Sequence, residues 1–81
     1  MKLFTVKDSV ANTFTPPFCM LTERDAIAGF TAVTNDSESQ YSKHPKDFTL
    51  CCVGAFDSRS GLIVTEEPRE LAIASDLIAS K

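Results

Sequence analysis

Glycine is scarce in this chain. The three that occur, Gly29, Gly54 and Gly61, lie far apart and none precedes a helix, so a phosphate-cradling glycine loop is missing and nucleotide-dependent chemistry is not supported. Histidine is scarcer still, with His44 alone. Together with Cys19, Cys51 and Cys52 it offers neither paired C-x-x-C spacing nor a second imidazole, which argues against zinc. His44 and Cys51 belong to a loop and a central strand with no reason to converge, so a histidine-activated cysteine nucleophile is not indicated. No catalytic residue, metal or cofactor is expected.

Long apolar runs are also missing. Nothing approaches the ~20 residues needed to span a bilayer, and Lys7 and Asp8 interrupt the amino-terminal segment before a secretory hydrophobic region could form. The chain is expected to stay in the cytosol where it is made, with no membrane contact. An odd cysteine count, with two of the three adjacent and pointing to opposite faces of a strand, suits a reducing compartment rather than disulfides. Excess positive charge is lacking too: the formal net charge is −3. That opposes the global field by which non-specific DNA binders attract phosphate, so any nucleic-acid contact has to be local.

What remains is one small domain of 81 residues, 43% hydrophobic and 23% charged. A chain of this size buries only roughly 60 to 65% of its unfolded surface, so its stability is marginal and self-association would add to it. Lys2 to Asp8 alternates as a half-buried strand, Phe4 and Val6 on one face and Thr5 and Lys7 on the other. Ser9 to Asn12 reads as a turn. Thr13 to Phe18 is extended, and Pro16 and Pro17 make it an edge strand or a bare connection. Thr22 caps a helix running to Thr34 or Asn35, with Glu23 and Asp25 at its positive end and Ala26, Ile27, Phe30 and Val33 forming its apolar stripe. Gly29 marks close packing of that helix on the sheet.

Asn35 to Asp47 is a long polar loop in which Tyr41 is the large non-polar side chain, and long ordered loops tend to be functional. Phe48 to Phe56 is the central strand, apolar on both faces. Phe48, Leu50, Cys52 and Phe56 are expected on one face, with Gly54 at a bulge. Asp57 to Gly61 is turn chemistry. Leu62 to Thr65 pairs back and Glu66-Glu67-Pro68 ends that strand. After it Leu71, Ala74, Leu77 and Ile78 have helical spacing while Leu71, Ile73 and Leu77 alternate like a strand, and the favoured reading is a short strand over Glu70 to Ala74 followed by a short helix capped by Ser75. The expected fold is α+β: a small antiparallel sheet of three to four strands, one main helix on one face and a short carboxyl-terminal element. A homo-oligomer is expected to cover the second face.

Several of these segments resemble one known family. The Met1-Lys2-Leu3-Phe4 start, Pro16-Pro17-Phe18 ahead of Asp25-Ala26, Asn35-Asp36, the segment Lys43-His44-Pro45-Lys46-Asp47-Phe48-Thr49-Leu50, and the turn Gly54-Ala55-Phe56-Asp57 with Gly61 are similar to the small nonstructural protein of gokushovirus-type microviruses. These are tailless phages with single-stranded DNA genomes. The similarity covers roughly residues 1 to 65. It implies a non-enzymatic protein of the infected bacterial cytoplasm that binds DNA and is likened to the switch from duplex to single-strand synthesis coupled to packaging. It carries no residue-level motif.

Binding single-stranded DNA requires local cations for the backbone and exposed aromatic faces for bases. Tyr41, Lys43, His44 and Lys46 offer both on one loop, and Arg59, Lys2 and Lys7 extend the patch if their elements share its face. In the structural alternative Tyr41 packs on the helix, His44-Pro45 shapes a turn, the lysines are solvated and Arg59 keeps a hairpin soluble. Glu66, Glu67 and Glu70 suit a protein partner better than phosphate. The competing function is therefore an adaptor that contacts host or viral replication or capsid proteins and never touches DNA. Phe14 and Phe18, beside the prolines, are further candidates for partner contact, whereas Phe4, Phe30, Phe48 and Phe56 are read as core.

Overall fold

In the computed structural model, which describes residues 1–79, the chain forms an antiparallel sheet of five strands with helical segments. Strand β1 (Lys2–Asp8) is followed by β2 (Thr13–Phe14), β3 (Phe18–Met20) and helix α1 (Glu23–Thr34). Then come the short helix α2 (Gln40–Lys43), a 3-10 turn (Pro45–Asp47), β4 (Phe48–Phe56), β5 (Ile63–Ile73) and α3 (Ala74–Leu77). The sheet order is β2-β1-β4-β5, and β3 also pairs with β1. Five strands replace the expected three to four because the Thr13 to Phe18 segment splits around its prolines. Pro16 and Pro17 cannot donate to a ladder, and Thr15 makes good the loss. Its N–H donates to the Val6 carbonyl at 3.0 Å, its hydroxyl accepts from the Val6 N–H at 3.0 Å, and its carbonyl accepts from the Thr5 hydroxyl at 2.8 Å.

The core lies between the sheet and α1. Phe4 and Val6 from β1 and Phe48, Leu50 and Cys52 from β4 are buried together with Ala26, Phe30 and Ala74. Thr22 caps α1 as the sequence indicates, its hydroxyl accepting from the Asp25 N–H at 3.1 Å. A Cβ on Gly29 would lie 3.4 Å from the Met20 methyl group, so this position lets α1 seat on β3. At the far end of α1, Asn35 ties down the carboxyl-terminal segment. Its Nδ2 donates to the Leu77 carbonyl at 2.9 Å and its Oδ1 accepts from the Ala79 N–H at 2.6 Å.

Strand β4 has the predicted bounds, but its side chains do not keep one alternation. Phe4 pairs with Cys52 and Leu3 with Gly54, so Val53 is an extra residue opposite β1. One inserted residue reverses every later side chain. Ala55, opposite Lys2, takes the α1 face, and Phe56 moves to the other face, where it is half-buried rather than core. The same bulge explains Pro68. The expected strand break is absent: β5 runs through it, with Glu66 to Pro68 accommodated opposite Val53 between the Gly54–Thr65 and Cys52–Arg69 pairs. β5 is an edge strand, where a missing N–H is tolerated, above all at a bulge. Because the strand continues to Ile73, α3 starts at Ala74 with Ile73 in the cap position and no side-chain cap, rather than being capped by Ser75.

Away from α1, the sheet presents a second face on which no helix packs among the described residues. Leu3, Thr5 and Lys7 of β1 share it with Cys51 and Thr49 of β4, because cross-strand partners project to one side. Thr5 and Cys51 are almost wholly buried there. Burial pushes the Cys51 thiol above its ordinary pKa, and the neighbouring Glu70 charge adds to this. Cys19 is exposed.

Two measurements check this packing. Gly54 has φ +155°, and a Cβ there would stand 2.1 Å from the Val64 carbonyl oxygen. Gly54→Ala should therefore cost about 2–4 kcal/mol in urea unfolding, a backbone-clash effect well above that of a surface substitution. Thiol labelling of the native protein at neutral pH should modify Cys19 quickly and reach Cys51 and Cys52 only on unfolding. Rapid labelling of all three would contradict the buried central strand.

Candidate nucleic-acid interface

The loop expected between α1 and β4 is largely helical. Ser39 caps α2, its hydroxyl accepting from the Ser42 N–H at 3.1 Å, and Pro45 opens the 3-10 turn, where its missing N–H costs nothing. His44 joins the two turns: its N–H donates to the Gln40 carbonyl at 2.9 Å and its carbonyl accepts from the Asp47 N–H at 3.0 Å. The Asp47 carbonyl in turn accepts from the N–H of Ser9 at 2.9 Å and from its hydroxyl at 3.2 Å. The loop is thus fastened to the β1–β2 turn. That turn is itself shaped by Asp8, whose carboxylate accepts from the Val10 and Ala11 N–H groups, and by Asn12 at φ 57°.

Tyr41 is the anchor of this segment rather than its working aromatic. Its ring lies 5.4 Å from Phe30 and 4.7 Å from Phe48, centroid to centroid and tilted in both cases. Such pairs stabilise beyond the area they bury. Both aromatic neighbours are core residues, so the face expected to stack on bases is engaged inside the protein. Burial raises the Tyr41 phenol above its ordinary 10.0, and the Asp8 carboxylate raises it further. Lys43, His44 and Lys46 are exposed and border one shallow depression of about 270 Å³ with Pro45 and Asp47.

The remaining expected cations do not form one patch with them. Lys7 pairs with Thr49 and Phe14, at the same end of the sheet as the loop but on the second face. Lys2 pairs with Ala55 at the other end, five residues and about 17 Å along the strand, and on the α1 face. There it borders a depression with Arg59, Asp57 and Val64. Arg59 sits in the β4–β5 turn, where the Asp57 carboxylate accepts its N–H at 2.8 Å. The Arg59 and Ser60 N–H groups hold the Asp57 carboxyl below its ordinary pKa. Among the described residues, ion pairs join Arg69 to Glu23 at 2.6 Å and to Glu66 at 3.5 Å, and none of the seven expected site residues takes part in one.

One aromatic at the loop end is exposed, expected as a candidate for partner contact rather than as part of the DNA site. Phe14 is 47% accessible and stands beside Lys7 on the second face. Its place next to two prolines on an edge segment was the available signal.

The fold and this surface define a small α+β protein built on an antiparallel sheet, with a basic loop at one end. The chain belongs to the family described as Phage ORF5 protein, which it matches over residues 1–77. It is thus a bacteriophage protein. No curated protein and no solved structure matches it. Among the described residues no helix is long and apolar enough to cross a membrane.

The role of Tyr41 as an anchor has a direct check. Tyr41→Ala should destabilise the domain by about 2 kcal/mol, as for a partly buried aromatic, while Tyr41→Phe keeps the packing. In the wild type the single phenol should titrate in absorbance above 10.0. Because the folded state favours the protonated phenol, its contribution to stability is present at neutral pH and lost as pH rises through the raised pKa. An ordinary midpoint and a neutral Tyr41→Ala would mean that the ring is free.

Proposed function

We propose that this phage protein is of the gokushovirus-type microvirus kind and acts in the host bacterial cytoplasm. There it binds single-stranded DNA, without catalysis, during viral genome synthesis and packaging, in company with the replication machinery. The reading rests on the resemblance of its motifs and on one observation: Lys43, His44 and Lys46 are exposed side by side on a loop fixed at both ends, with no ion-pair partner among the described residues. The two lysine cations, held in place and not neutralised internally, are what a phosphate backbone requires. Phe14 beside Lys7 supplies the open aromatic face that Tyr41 withholds. The contact is local, consistent with the net charge of −3.

Fluorescence anisotropy with labelled single-stranded and duplex DNA tests this. Affinity for the single strand should fall steeply with salt. Lys43→Ala with Lys46→Ala should lower the slope of log K against log salt by about 1.4, the value for two phosphate contacts on a single strand. Phe14→Ala should cost about 1–3 kcal/mol, one stacked base. No binding even at low salt would reject DNA as the ligand and favour the adaptor reading, in which Glu67 and Glu70 of β5 face a protein partner.

A further inference from the structure

The β4–β5 hairpin reaches beyond the helix-covered core. The chain measures 45 × 24 × 18 Å with a radius of gyration of 13.0 Å, against about 12 Å for a compact chain of this length. On this arm Leu62, Ile63 and Val64 are 66%, 58% and 68% exposed, three consecutive apolar residues at the start of β5, the outermost strand of the sheet. An unguarded apolar edge is a template for another strand.

The direction of its free backbone groups follows from the hydrogen bonds of the arm. The Phe56 N–H donates to the Met1 carbonyl, toward β1, and the Asp57 N–H donates to the Leu62 carbonyl, toward β5. Backbone groups alternate along a strand, so Leu62 and Val64 point at β4, opposite Asp57 and Ala55. Ile63 and Thr65 then point their N–H and C=O groups away from the sheet, with no strand on that side.

We propose that a second copy of this chain docks here, β5 against β5 in antiparallel pairing about a two-fold axis at Val64. The edge is its own complement. Ile63 meets the partner's Thr65 in a hydrogen-bonded pair, Thr65 meets the partner's Ile63, and Val64 meets the partner's Val64 in the closer pair between them. Beyond Thr65 the strand bulges at Glu66 to Pro68 and regular pairing ends, but the antiparallel arrangement brings each hairpin tip, with Arg59, alongside the bulge that carries the partner's Glu67. Glu67 makes no ion pair within its own chain among the described residues, so the charges of tip and strand are complementary across the axis. Pro68 lies inside that bulge, where no ladder hydrogen bond is required of it. The acids that guard the rest of β5 leave this one stretch open. Dimerisation rests on the edge alone and is independent of whether the basic loop binds DNA.

Sedimentation velocity at micromolar concentration should give twice the chain mass. Thr65→Pro removes an outward N–H while leaving the contacts to β4, and Val64→Glu sets two carboxylates directly opposite. Each should yield monomer with unchanged circular dichroism. In a Cys19→Ser background, Val64→Cys should cross-link to dimer under mild oxidation at least tenfold faster than Ser58→Cys, and this readout holds even if a monomerising variant fails to fold. A monomeric wild type, a dimer that survives both substitutions, or equal cross-linking at both positions would overturn the proposal.

Discussion

Strand β4 is paired on both sides, and the rest of the molecule depends on how its ladder survives the extra residue at Val53. Before the bulge, Phe48, Leu50 and Cys52 join Phe4 and Val6 under α1, and the hydrophobic term of folding is concentrated there. Beyond it, the side chains swap faces and the strand leaves the core. Gly54 makes that transition feasible, since its positive φ and its approach to the Val64 carbonyl admit no Cβ. The bulge thus divides the sheet into a stabilised half beneath the helix and an arm whose apolar residues have no cover of their own.

Much of this was legible in the sequence because local chemistry and tertiary packing agree. Alternation located β1, the Thr22 cap located α1, and the Asp57 to Gly61 turn joins the two strands it should join. Misreadings arose where a local signal is overridden by position in the sheet. Pro68 looked like a strand end because proline removes a donor, yet on an edge strand at a bulge that donor has no partner to lose. Phe56 looked like core because period-two counting cannot see one inserted residue. The stretch after Asn35 looked like a structureless loop because helices of four and three residues are too short to show a period, and are held by the Ser39 cap, Pro45 and the Ser9 bridge to Asp47.

The candidate site was legible in its cations and not in its aromatic. Lys43, His44 and Lys46 are polar and exposed in the folded chain, as their composition suggested. Tyr41 carries an ambiguous label, since an amphipathic ring serves equally for stacking on a base or for closing a core. What decides between them is the presence of Phe30 and Phe48 on either side, a tertiary fact absent from the local sequence. The ring's burial bears on the proposed function all the same. It fixes the backbone from which the two lysines project, so their spacing is set before a ligand arrives and less ordering entropy is lost on binding.

Charge is arranged along the length of the molecule in a way that net charge conceals. Arg69 is engaged by Glu23 and Glu66, whereas the lysines of the loop have no ion-pair partner among the described residues and lie at the opposite end of β4 from the hairpin arm. The proposed pairing of two arms through β5 extends this polarity. The proposed two-fold axis passes near Val64, and Phe48 starts β4 seven residues back from Val64's partner Ala55 and the level of the axis. The two basic loops then stand on the order of 50 Å apart at the outer ends, at about 3.3 Å per residue on each side. In the proposed dimer the β5 acids gather at the centre, where they repel phosphate, so a DNA strand bound at one loop on the proposed reading is not drawn across to the other. On that reading each loop is a separate site, and an acidic protein offers two places where a phosphate backbone meets positive charge.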